Sequence, residues 1–143
     1  MPRILVVDDD PSIQDLIRDL LLIEGRLIDI SADGDDAIAQ VSARRYDLVI
    51  LDRNMPGLSG IETLRRLKGI ASAKGMRVLM CTAADTLQDV DEALVAGADD
   101  YIAKPLNSKR LMEKVAKLVG APGGPAAGGG FKGLLGRLFG AKS

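Results

Sequence analysis

Near its start the chain reads Ile4-Leu5-Val6-Val7-Asp8-Asp9-Asp10, a short apolar run followed at once by three acids. Short apolar runs rich in β-branched residues are typical of strands buried in a sheet. A second run of this kind, Leu48-Val49-Ile50-Leu51, ends at Asp52. Because ligands of parallel sheets gather at the carboxyl ends of the strands, we expect both runs to bring carboxylates to one edge of one sheet.

Carboxylates held close together repel one another and resist ionisation. A hard divalent cation relieves that repulsion, and Mg²⁺ prefers oxygen ligands of this kind. The pattern therefore predicts a Mg²⁺ site beside a reactive aspartate. The alternative for the triplet is an aspartate-rich helix cap before Pro11 and Ser12, which accounts for one of the acids but not for three.

Strand-like and helix-like segments alternate along the chain up to residue 119. The apolar runs predict five strands, at Arg3–Val7, Arg26–Ile30, Tyr46–Leu51, Met76–Cys81 and Asp100–Ala103. Five helices are predicted to begin at Ser12, Asp33-Gly34, Ser59 or Gly60, about Thr86, and Asn107 or Ser108. In the first helix, which Gly25 ends, the residues predicted to face inward are Ile13, Leu16, Ile17, Leu20 and Leu21.

This alternation predicts an α/β fold, in which a parallel sheet is covered by helices on both faces and joined by right-handed crossovers. The third strand is among the most apolar, so we expect it to be central.

Length and charge point to one domain that does not bind nucleic acid. The 143 residues are enough for one domain with a real core. The formal net charge is −1, but Lys132, Arg137 and Lys142 lie beyond Gly120, where no acid occurs, so 16 basic residues face 20 acidic ones in the body. A mildly acidic body favours a metal–phosphate site over a nucleic-acid-binding face.

Cysteine and histidine usage narrows the chemistry. Cys81 is the one cysteine and ends an apolar run, so we interpret it as a small buried hydrophobe. The chain contains no histidine, which excludes histidine-based catalysis and histidine ligation of metals. Asp8 falls where the apolar part of a signal peptide would be, and no apolar stretch is long enough for a bilayer, so a cytoplasmic location is expected.

Four motifs occur in order, each just after a predicted strand or within the fifth. They are Val6-Val7-Asp8-Asp9-Asp10-Pro11, Asp52-Arg53-Asn54-Met55-Pro56-Gly57, Thr82-Ala83-Ala84, and Gly97-Ala98-Asp99-Asp100-Tyr101-Ile102-Ala103-Lys104-Pro105. Together they resemble the receiver domain of bacterial two-component response regulators, over residues 2–119. The resemblance implies a doubly wound, flavodoxin-like (βα)5 fold with strand order 2-1-3-4-5 and a receiver domain at residues 1–119.

The resemblance implies that Asp52 accepts a phosphoryl group from a sensor histidine kinase or a histidine phosphotransfer protein. A carboxylate can act in this way, as a covalent nucleophile towards phosphorus. Asp9 and Asp52 would be direct Mg²⁺ ligands together with the backbone carbonyl of Asn54, and Asp8 would act through a bound water. Asp10 matches no ligand position and is expected to be solvated.

Three further positions carry the family's response. Lys104 would pair with a phosphoryl oxygen, and the Lys104–Pro105 bond is expected to be cis. Thr82 would hydrogen-bond the phosphoryl group, and Tyr101 would turn inward into the space that Thr82 vacates. The alternative for Tyr101 is a core aromatic ring with its hydroxyl at the surface. Slow autophosphatase activity is also expected, rather than the turnover of an enzyme.

Some positions depart from the family pattern or vary within it. Arg53 would contact a partner or control access to the site, and its alternative is a solvated cation. Ala84 leaves the lifetime of the phosphorylated form undecided. Arg110 and Ala116 replace charged residues of regulators that dimerise through their fourth and fifth helices, so a monomer is expected.

No DNA-binding or enzymatic output domain is recognised after the receiver pattern. Two outputs are therefore expected: a switch that binds a downstream protein target, or a relay to a histidine phosphotransfer protein. The expected docking face is the surface of the fourth helix, fifth strand and fifth helix. Its charged residues are Lys109, Arg110, Glu113 and Lys117, and for each one taken singly a solvated helix face is the favoured interpretation.

The C-terminal part differs in character from the rest. Residues 120–130 contain only glycine, proline and alanine, which predicts a flexible linker. In residues 131–143 one helical face would collect the apolar side chains of Phe131, Leu134, Leu135, Leu138 and Phe139. We expect this segment to be disordered alone and to order in a partner's groove, which is favoured, or on an anionic membrane surface with peripheral attachment.

Two other classes share parts of the pattern. A haloacid-dehalogenase-type phosphatase also uses a strand-end aspartate, but needs a second acid where Asn54 stands. A flavodoxin-like electron carrier has the same architecture, but three aspartates would repel the phosphate of its flavin. Neither class fits the chain as well as a receiver domain does.

Overall fold

The computed structural model describes residues 2–22, 25–70, 75–83 and 87–120. Its strands are β1 Arg3–Val7, β2 Leu27–Ser31, β3 Leu48–Asp52, β4 Arg77–Thr82 and β5 Asp100–Ala103. Its helices are α1 Pro11–Leu22, α2 Gly34–Ala43, α3 Gly60–Lys68, α4 Leu87–Ala96 and α5 Ser108–Val119. The strands form one parallel sheet in the order β2-β1-β3-β4-β5, which confirms the predicted fold class and the central position of β3.

Two apolar layers cover the sheet, one on each face. Alternate residues of the inner strands, such as Leu5 and Val49, point to a layer completed by α2, α3 and α4. Their neighbours, such as Ile4 and Ile50, point to a layer completed by α1 and α5. All five residues of β3 are buried, because helices cover it on both sides.

The third strand begins later than predicted. It starts at Leu48 rather than Tyr46 and runs on to Asp52. Tyr46 is buried, but its hydroxyl donates a hydrogen bond to Asp29 Oδ2 at 2.6 Å and also contacts Gln40. The ring therefore serves as a core side chain of the turn that enters β3, and not as part of the ladder.

The start of α1 was also predicted incorrectly. The helix begins at Pro11, and the carboxylate of Asp10 accepts the Ser12 N–H at 2.8 Å. Asp10 is thus the capping residue, in place of Ser12, and is hydrogen-bonded rather than merely solvated. Pro11 favours this start because its ring is pre-organised for the first helical position.

The other predicted caps that fall within the described residues agree with the structure. Asp33, Ser59 and Asn107 cap α2, α3 and α5 through their side chains. In α1, Ile17 and Leu21 are buried as predicted, whereas Leu16 is 37% exposed because it lies at the margin of the apolar face.

Part of the prediction lies outside the described residues. This applies to Thr86 at the start of α4, to Ala84, to the linker beyond Gly120 and to the segment 131–143. Among the helices that the structure describes, none has the length and apolar character needed to cross a membrane.

Asp100 ties α5 to the edge strand β5. Its carboxylate accepts the Tyr101 N–H at 2.8 Å, contacts Lys114 Nζ at 3.1 Å and lies 3.5 Å from Lys117 Nζ. Burial alone would raise the pKa of Asp100, but these donors and cations hold it below its ordinary value. A carboxyl with a lowered pKa stabilises the folded chain in its charged form.

Replacing Asp100 by Asn is expected to lower the free energy of unfolding at neutral pH by about 1 kcal/mol, the difference between charged and neutral hydrogen bonds. The contribution is present above the unfolded-state pKa and is lost as pH falls through the lower folded-state pKa, so the two chains should converge in acid. Urea denaturation across pH measures this. Asp19→Asn is the control, since Asp19 is exposed and lies 3.9 Å from Arg18; equal losses in both variants would contradict the assignment.

Candidate functional site

Two aspartates are held side by side at the carboxyl edge of the sheet. β1 and β3 pair in parallel with Val7 opposite Leu51, so Asp8 and Asp52 follow on adjacent strands. The Asp8 N–H donates to Ser31 O at 3.1 Å. The N–H of Arg53, the residue after Asp52, donates to Cys81 O at 2.9 Å. Both carboxylates are almost fully buried, with exposures of 2% and 4%. The backbone ladder therefore fixes both acids where they cannot move apart.

Lys104 contacts both of these acids. Its amine lies 3.2 Å from Asp8 Oδ2 and 3.2 Å from Asp52 Oδ1. Its own N–H donates to Thr82 O at 2.8 Å, which continues the pairing of β5 with β4. The Lys104–Pro105 bond is cis, as predicted.

Asp9 completes a cluster of three carboxylates. One oxygen of each of Asp8, Asp9 and Asp52 lies within 4.8 Å of the others, and Asp9 is exposed. Three carboxylates and the Lys104 ammonium leave a formal charge of −2. The donor set consists of oxygens open to solvent on one side, which fits a hard divalent cation such as Mg²⁺.

The electrostatic cost of the cluster is visible at Asp52. Its pKa is raised, first because burial removes the carboxylate from water and then because Asp8 repels it, while Lys104 and the Asn54 N–H oppose the rise. Burial alone would lower the pKa of Lys104, but Asp52 and Asp8 raise it above its ordinary value. The lysine is thus firmly charged, but its single positive charge does not balance the negative charge of the acids.

Of the remaining predicted residues, Asn54 and Thr82 lie next to this cluster, and Tyr101 lies on β5. The Asn54 N–H donates to Asp52 Oδ1 at 3.3 Å, so the residue predicted to offer a carbonyl ligand adjoins the acids. Thr82 is buried at the end of β4, one residue beyond Cys81, which pairs with Asp52. Tyr101 is half-buried against the α2–α3–α4 layer, with Lys114 Nζ 5.6 Å from its ring centroid.

A family model described as the response regulator receiver domain matches residues 4–116. The chain belongs to this family.

Relatives of this receiver domain include DNA-binding regulators. The DNA-binding response regulator MtrA of Mycolicibacterium smegmatis is 41% identical over 113 residues, which cover 79% of this chain and 48% of that one. The chain spans about half the length of the curated relatives it matches.

Two solved structures that contain magnesium are similar over most of the receiver domain. The response regulator TrrA of Thermotoga maritima, in complex with Mg²⁺-BeF, is 40% identical with a TM-score of 0.73, covering 82% of this chain and 99% of that one. The receiver domain of the sensor histidine kinase PA1611 of Pseudomonas aeruginosa, with a magnesium ion in its active-site cleft, is 28% identical with a TM-score of 0.77, covering 84% and 98%.

Of the two alternatives for Arg53, the structure excludes the solvated cation. Its side chain is only 14% exposed and pairs with Glu92 Oε1 at 2.5 Å and with Asp89 Oδ1 at 3.6 Å. It also donates to the Asp89 carbonyl at 3.3 Å. The residue that follows Asp52 in the receiver domain is therefore joined directly to α4. Sequence reasoning missed these partners because they lie 36 and 39 residues away along the chain.

Gly60 is a second residue whose contribution was missed. It was predicted only as a possible start of α3, but its N–H also donates to Arg53 O at 2.9 Å, closing the loop that follows Asp52. A Cβ on Gly60 would overlap the carbonyl oxygen of Asp52 and would lie 2.5 Å from Arg53 Cα. Glycine is thus required here for close approach of two backbone segments.

Cys81 is a buried side chain directly opposite Asp52 in the ladder. Burial raises the pKa of its thiol to about 12, so it carries no thiolate at neutral pH. This agrees with its interpretation as a small buried hydrophobe.

Gly60→Ala is expected to lower the free energy of unfolding by about 1–3 kcal/mol, because the backbone must shift to admit the added methyl group. Gly69→Ala, at the other end of α3, is the matched control. Its φ is −85° and its Cβ would lie 3.5 Å from the nearest atom, so it should change stability by less than about 1 kcal/mol. Urea denaturation of both variants checks the contrast; similar effects at the two ends of α3 would contradict it.

In a chelating buffer, Asp52→Asn is expected to raise the free energy of unfolding, because it removes one of the repelling carboxylates while Lys104 keeps Asp8 as its partner. Added Mg²⁺ should reverse the order: at 100 times its Kd it stabilises the parent chain by about 2.7 kcal/mol. The variant should gain much less.

Thermal or urea unfolding with and without Mg²⁺ measures both effects. Asp10→Asn is the control, because asparagine caps a helix as well as aspartate does and Asp10 lies outside the three-acid cluster. It should respond to Mg²⁺ like the parent. Two results would argue against a cation site made by these acids. One is an Asp52→Asn chain that is less stable than the parent in chelator, and the other is an equal gain in stability from Mg²⁺ in the parent and in Asp52→Asn.

Proposed function

We propose that Asp52 accepts a phosphoryl group from a sensor histidine kinase or a histidine phosphotransfer protein, in a reaction that depends on Mg²⁺. The observation that carries the proposal is the position of the Lys104 amine, 3.2 Å from Asp8 and 3.2 Å from Asp52. Together with the three-acid cluster, it supplies positive charge and a set of cation ligands next to Asp52.

The residues present fit each part of a phosphoryl transfer. An oxygen of Asp52 attacks phosphorus in line, and the electron pair of the broken bond returns to the donor's imidazole nitrogen. Lys104, already charged, pairs with an oxygen of the transferred group in place of the Asp52 carboxylate. Bound Mg²⁺ would be held by Asp9, Asp52 and the Asn54 carbonyl, with Asp8 acting through water, and would neutralise the charge that develops on the phosphoryl oxygens.

The buried position of Asp52 suits a product that is hydrolysed slowly. Only 4% of this residue is exposed, so attacking water has limited access to the aspartyl phosphate. We therefore expect slow autophosphatase activity. The chain then acts as a phosphoacceptor in cytoplasmic signalling.

The response to phosphorylation would pass through Thr82 and Tyr101. Thr82, at the end of β4, would bond the phosphoryl group, and Tyr101 on β5 would turn into the space that it leaves. Tyr101 lies half-buried between the core and Lys114 of α5, so a new position for its ring changes the α4–β5–α5 surface. That surface is the proposed docking site for a downstream protein target, or for the next protein of a relay.

The chain is proposed to act as a monomer with three parts. Residues 1–119 form the receiver, 120–130 a linker, and 131–143 a short amphipathic segment. The proposal includes no nucleic acid among the partners of these three parts. A switch and a relay intermediate are distinguished by measuring phosphotransfer from the host's kinases to this chain and from this chain to the host's phosphotransfer proteins. Only a relay intermediate passes its phosphoryl group on.

Labelled acetyl phosphate tests the acceptor directly. The parent chain should take up label in the presence of Mg²⁺ and lose nearly all uptake in a chelator or on Asp52→Asn. Asp10→Asn should keep uptake close to that of the parent, because the acid cluster stays intact. If Asp52→Asn became labelled as readily as the parent, or if chelation made no difference, Asp52 would not be the acceptor.

A further inference from the structure

Helix α4 carries an apolar stripe that the described part of the chain leaves exposed. Ala93 is the one residue of this helix that is buried, whereas Leu87, Leu94 and Val95 are 83%, 46% and 88% exposed. The three exposed side chains lie at i, i+7 and i+8, so they fall within about 100° of the helix circumference, on a face turned away from Ala93. Large apolar side chains aligned on one face are typical of a binding surface.

The same helix is strongly acidic. It contains Asp89, Asp91 and Glu92 and no basic residue, a formal charge of −3. Arg53 approaches Asp89 and Glu92 from the side of the sheet, but Asp91 lies within the apolar stripe, exposed. A ligand for this surface therefore needs apolar side chains accompanied by positive charge.

The chain itself contains a segment with that chemistry. Residues 131–143 place Phe131, Leu134, Leu135, Leu138 and Phe139 at helical spacing. They also carry Lys132, Arg137 and Lys142 and no acid, a formal charge of +3. An amphipathic segment of this kind is suited to an apolar helix face with acidic neighbours.

The tether is long enough to bring the two together. The carbonyl of Gly120, after the end of α5, accepts from Arg26 at 3.3 Å, which places it at the amino edge of the sheet beside the start of β2. α4 ends at the same edge, but next to β5 and on the other face of the sheet, so the linker has to cross the width of the domain. A flexible linker of the length of residues 120–130 spans about 18 Å on average and about 36 Å when extended, a range that covers the width of a domain this size. Such a short tether gives an effective concentration on the order of 1 mM, so even a weak contact would be occupied.

A competing surface near the exit of α5 fits less well. Leu22 and Leu16 of α1 are 48% and 37% exposed, but six residues apart they point in different directions around that helix. The charged residues of α1 are Asp15, Arg18 and Asp19, of which Arg18 pairs with both acids. The aligned stripe and the uncompensated charge are found on α4.

We propose that residues 131–143 dock in cis on α4, with their apolar face on Leu87, Leu94 and Val95 and their cationic side chains near Asp91. The docked segment covers part of the surface proposed above for a downstream target, so it acts as an autoinhibitory contact. The inference does not require phosphorylation of Asp52. Its test is done without metal or phosphoryl donor, so its failure and that of the acceptor assignment are distinguishable.

A spin label at the end of the full-length chain tests the docking. Ser143→Cys supplies the attachment site, since Cys81 is 1% exposed and its thiol pKa is raised to about 12. The unmodified chain, treated with the same reagent, verifies that Cys81 stays unlabelled. We expect the amide signals of α4 to lose intensity in NMR spectra while those of α2 keep theirs, at every protein concentration and less strongly at high salt.

Point variants of the labelled chain locate the contact. Leu94→Gln on α4 and Leu138→Gln in the segment should each restore the α4 signals. Leu22→Gln is the matched control, because Leu22 and Leu94 are 48% and 46% exposed, and it should leave the loss of intensity unchanged.

Four results would overturn the proposal. The α4 signals could keep their full intensity, Leu22→Gln could restore them, or Leu94→Gln could fail to restore them. The fourth is a loss of α4 intensity that grows with protein concentration, which would reveal contact between copies of the chain. If the α4 signals are undiminished, vesicles of anionic phospholipid identify the alternative, since a segment made for a membrane surface would bind them.

Discussion

The site at the carboxyl edge of the sheet is defined by an excess of negative charge, because three carboxylates share one ammonium group. Lys104 lies 3.2 Å from both Asp8 and Asp52, so neither acid has a cation to itself. In water the acids would separate, but the parallel ladder and the two apolar layers hold them in place. The raised pKa of Asp52 records the cost of this arrangement. Added positive charge lowers that cost, so the edge favours a bound cation and is not a self-contained ion pair.

The same edge is joined to α4 by Arg53. The backbone of this residue continues from Asp52 and bonds to β4, while its side chain ends in ion pairs with Asp89 and Glu92. With an exposure of only 14%, the guanidinium is less screened by water than a surface pair would be. A displacement of the loop after Asp52 therefore acts on the acidic side of α4 directly, without requiring the sheet to deform.

Sequence reasoning succeeded where the signal was local. A short apolar run that ends in an acid indicates both a strand and the edge to which the acid belongs, which is why Asp8 and Asp52 were expected together. Lys104 was expected beside them only from the resemblance to receiver domains. It failed where a distant partner decides the outcome. Tyr46 was predicted to begin a strand, but it lies in the turn before β3 and its hydroxyl bonds to Asp29. For Arg53 the sequence left a solvated cation and a contact residue as equal alternatives, and only the ion pair with α4 decides between them. The structure brings Asp8, Asp52 and Lys104 together, but the roles of all the site residues stay predictions, because they concern a state with bound cation and phosphoryl group. These residues are Asp8, Asp9, Asp52, Asn54, Thr82, Tyr101 and Lys104.

The two helices beside β5 differ in how firmly they are attached. α5 buries Leu111, Val115 and Ala116, and Asp100 binds two of its lysines. α4 buries only Ala93, and its ion pairs with Arg53 involve partly exposed acids. Elements with few buried apolar contacts open and shift at lower free energy than those with many. On the surface that these helices share with β5, α5 therefore acts as the fixed frame and α4 as the part that can move. Tyr101, on the strand between them, is placed to bias that movement.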